Sequence, residues 1–301
     1  MQKTAPADKL LDPQTIQRAE LLGIMARQIV EGYMAGAHKS PYRGIAIEFA
    51  QHREYVPGDD IRHLDYKVLG RTDRYYIKQY EQETNFVAHI LVDGSESMKF
   101  GSGKITKFDY ARQMAATLAY LVLIQRDAVA VQIFDDQLRD RQPRTDSVSK
   151  IHEIMMKLAS FEPSESTNIA QMLHDLALQI KRKGIVILVS DLFDEEQKVV
   201  EAIQHLRFDG HEVLVFHVMD HAEIAFDFTG TVEFIGLENG PRITTQPQGL
   251  RKSYLKEVEA FRERVRLDCE RNKCHYIFVD TSQPWHEVLS AYLASRQHTG
   301  F

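Results

Sequence analysis

From residue 86 onward the chain alternates short apolar runs with longer amphipathic ones. Residues 86–92 (FVAHILV), Ala128–Phe134, Gly184–Val189 and Glu212–Val218 are apolar nearly throughout. Such runs predict strands covered on both faces. His275–Val279 predicts a sixth strand, and Gln137–Arg141 a short one returning from Ala128–Phe134. Helices are predicted at Lys107–Gln125, Ser147–Ser160, Thr167–Lys181, Glu195–Arg207, Leu250–Arg271 and Trp285–Arg296, with a hairpin at 228–245 around Asn239-Gly240. Asn-Gly is a type I′ turn signal. Strands alternating with helices indicate a mostly parallel sheet with helices on both faces.

The first 84 residues read differently. Pro13–Met34 predicts a helix, opened by Asp12-Pro13 and apolar along Leu21, Leu22, Met25, Ile29 and Met34. Gly44–Ala50 and Tyr75–Glu83 read as extended, and 53–66 as a polar loop with a turn at Pro57-Gly58-Asp59-Asp60. The expected division is therefore 1–84, a helix and extended segment, and 85–301, a Rossmann-like α/β domain.

Composition narrows the class. The chain has 301 residues, 44% hydrophobic and 27% charged, with a formal charge of −6. That is ordinary globular composition, and it lacks the basic surface nucleic-acid binding requires. The longest apolar stretch, Ala115–Ile124, falls short of the roughly 18 residues a membrane span needs. Neither a signal peptide nor a membrane span is expected. The two cysteines, Cys269 and Cys274, form no zinc pattern and no secreted framework. A cytoplasmic protein is the expectation.

The candidate chemistry lies where the first buried strand ends. Asp93, Ser95 and Ser97 form D-x-S-x-S, offering a carboxylate and two hydroxyls from one turn. Hard cations take oxygen ligands of this type; magnesium binds them at roughly 2.0–2.1 Å. In the doubly wound order 3-2-1-4-5-6, the first and fourth strands are neighbours at the switch point. Asp191, after the fourth strand, should therefore approach Asp93, and Thr167 should start its helix at the same edge. Helix capping is the competing role for Ser95, Ser97, Thr167 and Asp191.

This three-part pattern resembles the metal-ion-dependent adhesion site of von Willebrand factor A domains. The resemblance implies magnesium, with manganese as an alternative, held by Asp93, Ser95, Ser97, Thr167 and Asp191. A partner's acidic residue would complete the shell. GIAIEFAQHREYVPGDDIRHLDYK (44–67), TDRYYIKQYEQET (72–84) and the hairpin-plus-helix tail further resemble the "domain of unknown function 58" family. Those bacterial and archaeal proteins carry an A-type domain and are commonly linked with MoxR-type AAA+ ATPases. Tyr66 stands where the family usually has tryptophan, and the N-terminal membrane helices of many relatives are missing.

Enzyme signatures are poorly matched. Gly101-Ser102-Gly103-Lys104 would need glycine at 98 and Ser or Thr at 105 for a P-loop, where Met98 and Ile105 stand. The His-Glu pairs at 152, 211 and 286 are followed by Met156, Val215 and Ser290 instead of a second zinc-ligating histidine. No G-x-S-x-G elbow is present. The expected function is thus a non-enzymatic, metal-dependent protein-binding module, an adaptor for a MoxR-type ATPase or its client. The alternatives are a metal-dependent, phosphatase-like hydrolase on the same site, and a structural interaction protein whose metal site is degenerate.

Overall fold

The computed structural model describes residues 47–56, 64–82, 87–164, 166, 168–180, 183–237, 242–285 and 287–288. The predicted helix at 13–34, the turn at Pro57–Asp60, Asn239-Gly240, Thr167 and most of the last helix lie outside the described residues. The chain divides into two compact units, one within residues 33–85 and the other running from 86 onward.

In the smaller unit, β1 (Ile47–Glu54) pairs antiparallel with β2 (Tyr76–Gln82), with an irregularity between Phe49 and Gln51. Helix α1 (Tyr66–Thr72) starts at Asp65, whose carboxylate accepts the N–H groups of Lys67 at 2.9 Å and Val68 at 3.2 Å. The stretch expected to be a loop at 53–66 therefore ends in a helix cap, and its first residues finish β1. Tyr66 is exposed.

In the larger unit the elements run β3 (Val87–Asp93), α2 (Lys107–Ile124), β4 (Ala128–Phe134), β5 (Leu138–Thr145), α3 (Ile151–Ser160), α4 (Ile169–Gln179) and β6 (Ile185–Ser190). They continue with α5 (Glu196–Phe208), β7 (Glu212–Met219), α6 (His221–Ala225), β8 (Val232–Ile235), β9 (Arg242–Thr245), α7 (Pro247–Arg271) and β10 (His275–Asp280). Strands β8 and β9 form the separate hairpin. Helix α7 starts earlier than the apolar pattern suggests because Pro247, at the first turn, has no N–H to leave unpaired.

The main sheet has the order β10-β7-β6-β3-β4-β5, parallel except for the β4–β5 pair. This is the doubly wound order expected, with β3 and β6 adjacent at the switch point. Side chains alternate between faces. Ile185, Ile187 and Val189 of β6 join Ala88, Ile90 and Val92 of β3 in one core, under α2. Val186, Leu188 and Leu91 belong to a second core, under α4 and α5. Both faces are covered, which is why both strands, His89 apart, read as nearly continuous apolar runs.

Candidate functional site

Register decides who meets whom at the carboxyl edge. Leu91 pairs with Leu188 and Val92 with Val189, so one step further puts Asp93 opposite Ser190. The Ser190 hydroxyl donates to Asp93 Oδ2 at 2.5 Å, and the Ser95 N–H donates to Oδ1 at 2.9 Å. The hydroxyls of Ser95 and Ser97 lie 3.0 Å apart, and Ser97 hydrogen-bonds Asp191. The structure thus brings Asp93, Ser95, Ser97 and Asp191 together, as the topology predicted.

Gly94 sits in this turn by necessity. A Cβ there would lie 2.4 Å from the Phe161 ring and 2.9 Å from Ile133 Cγ2. Gly94→Ala is expected to destabilise the chain by about 1–3 kcal/mol through overpacking. Phe161→Leu in the same chain should recover most of that loss in a denaturant titration.

The expected metal site, however, is not what these residues build. Lys107, at the start of α2, lies 3% exposed with Nζ 2.8 Å from Asp191 Oδ2 and 2.9 Å from Glu223 Oε1. Burial opposes a charge on Lys107, but Asp191 and Glu223 outweigh it, and its pKa is raised. Burial likewise works against charge on Asp191, and Lys107 overcomes it, so that carboxyl is lowered. Asp93 has no such partner. Burial, then the Asp191 charge, push it up to about 7. The second oxygen of Asp191 accepts the Phe193 N–H at 3.1 Å. Each carboxylate oxygen of Asp93 and Asp191 accepts a hydrogen bond from the chain. Lysine supplies the positive charge.

Among the described residues, no group of three or more His, Cys, Asp or Glu side chains could hold a metal ion. This overturns the expectation of magnesium or manganese on Asp93, Ser95, Ser97, Thr167 and Asp191, and with it the metal-dependent binding mode.

Sequence reasoning missed Lys107, Ser190, His217, Asp220 and Glu223. Lys107 did leave a signal. A cation in the first turn of a helix opposes the macrodipole, and Lys107 is buried there, so the residue must answer to a partner elsewhere. Thr106 and Asp109 cap the same turn reciprocally, at 3.0 and 3.1 Å. Asp220, also buried, accepts the N–H of Ser102 at 3.1 Å and its hydroxyl, the N–H of Ala222 at 2.9 Å and the Thr281 hydroxyl at 3.2 Å. The glycine-rich loop at 101–104 is therefore anchored through Ser102, and the Ser102 donors face a carboxylate, the wrong charge for a phosphate cradle. His217, buried in β7, meets the Tyr276 hydroxyl at 2.6 Å through Nδ1 and hydrogen-bonds the Asp191 main chain. Burial lowers its pKa to about 4, so the ring is neutral.

Uncharacterized proteins of Mycobacterium bovis and Mycobacterium tuberculosis are 23% identical to this chain over 292 residues, covering 95% of it and 91% of each relative. Among solved structures, an aerotolerance-related membrane protein from Bacteroides fragilis is similar at 18% identity and TM-score 0.46, covering 70% of this chain and 100% of that one. A conserved hypothetical protein, BatB, from Bacteroides thetaiotaomicron is similar at 17% and 0.45, covering 70% of this chain and 98% of that one. The SpRpn10 VWA domain is similar at 11% and 0.39, covering 71% of this chain and 96% of that one. A family model matches residues 51–264, and the chain belongs to that family, described as protein of unknown function DUF58.

Proposed function

We propose that this chain is a non-enzymatic protein-interaction module of von Willebrand factor A type whose cation site is degenerate, replaced by an internal ion pair. The observation that carries the reading is the Lys107 ammonium seated between Asp191 and Glu223. A buried ion pair of this kind holds the edge in one geometry without any ligand. The partner we propose is a MoxR-type AAA+ ATPase or a client presented to it, and the place a cytoplasm. The first extends the resemblance of residues 44–67 and 72–84 to proteins commonly linked with such ATPases, and family membership is consistent with an interaction module. Two buried free thiols, Cys269 and Cys274, support the second.

The test is recovery of a candidate ATPase on the immobilised chain, with and without a strong chelator of divalent cations. Recovery should be equal in both arms. Loss of recovery with chelator, restored by adding back magnesium alone, would sink the degenerate-site reading.

A further inference from the structure

Beside the ion pair the described residues enclose a cavity of about 520 Å³. Its size falls in the roughly 300–1,000 Å³ range of pockets that take small ligands or a few side chains. Leu192 and Phe193 line it from the turn after β6, Met219 from the end of β7, and Tyr254, Val258 and Phe261 from α7. Phe193 is 67% exposed, an aromatic ring standing in solvent at the rim.

The charges are unequal. At the floor Lys107 is matched by both Asp191 and Glu223. Two further acids line the cavity, Asp194 and Glu257. Asp194 is fixed in place by accepting the N–H groups of Ile169 at 2.8 Å and Glu195 at 2.7 Å. Glu257 is exposed on α7. An apolar occupant would cover the Glu257 carboxylate without supplying it a partner, and an acidic one would add like charge. Long basic side chains instead lay an apolar stem along the wall and keep a charged head at the mouth. Guanidinium also stacks on aromatic faces, and the exposed ring of Phe193 is available for that.

We infer that this cavity takes an arginine side chain of a partner protein. The inference rests on the interaction-module reading and names the chemistry of its partner.

The probe is N-acetyl-leucyl-arginine amide, titrated into the full chain and followed by protein NMR. Matched peptides carry citrulline, the neutral isostere, or glutamate in place of arginine. The arginine peptide should bind, with affinity falling as salt rises. The other two should bind at least about tenfold weaker. Glu257→Gln, on an exposed helix position that leaves the fold intact, should weaken the arginine peptide several-fold and leave the citrulline peptide unchanged. Val258→Trp, which fills the cavity, should abolish binding of all three. Equal binding of the three peptides, absence of binding by any, or indifference to Glu257→Gln would each overturn the assignment. Recovery of the ATPase while every peptide fails would reject the cavity and leave the interaction module standing. Peptide binding without ATPase recovery would do the reverse.

Discussion

Lys107→Met is expected to destabilise the chain by about 3–5 kcal/mol, the range for removing one partner of a buried ion pair. In a domain of this size that lowers the melting temperature by roughly 10 °C. The loss does not come from the missing attraction alone. Methionine leaves the Asp191 and Glu223 carboxylates facing each other in a site where their side chains are only 5% and 23% exposed. They must then either desolvate as charges or take up protons. The triple variant Lys107→Met, Asp191→Asn, Glu223→Gln should therefore return to within about 1 kcal/mol of the parent, because neutral groups of similar volume carry no such penalty. Denaturant titrations of the three proteins decide the matter. A single variant as stable as the parent would show that the ammonium does not hold this edge together.

The second expectation concerns pH. Asp93 and His217 are buried groups shifted in opposite directions. Asp93 has a folded pKa raised to about 7 from 3.8, so between those values the folded state binds more protons than the unfolded one. Its contribution therefore grows as pH falls from about 7 toward 4, by about 4 kcal/mol if the whole shift is expressed. His217 has a folded pKa lowered to about 4 from 6.5, so here the unfolded state binds more protons. Its contribution is lost over nearly the same window, by about 3 kcal/mol. The two nearly cancel, and the parent should show little slope from these groups between pH 4.5 and 6.5. Asp93→Asn removes the first contribution, and stability should then fall on acidification relative to the parent. His217→Gln removes the second, and stability should then rise. Comparing each variant with the parent at every pH cancels the background of other titrating groups. Parallel profiles for all three proteins would refute the burial of both groups as charged-form penalties.

Much of this was readable in the residues themselves. The pattern of apolar runs placed β3, β4, β6 and β7 to within about a residue at each end, and their alternation with helices implied the sheet order. From that order alone Asp93 and Asp191, distant in sequence, had to end at one edge. Boundaries shifted where a single residue overrode the pattern, as Pro247 does at α7 and Asp65 at α1. Periodicity follows from which faces of an element are buried, and that is a local property of the chain.

The charge state of the edge was not local. Two acids near each other favour a compensating cation or a bound proton, and here a lysine beside Asp191 supplies the positive charge. Lys107 lies 14 positions beyond Asp93, and Glu223 another 116 beyond that. Only the packing of α2 against the end of β6, and of α6 after β7, brings the three charges together. Sequence alone thus specified where the oxygens converge. Tertiary structure decided what they converge upon, because the net charge of a buried site is summed over neighbours in space, and no spacing along the chain records which neighbours those are.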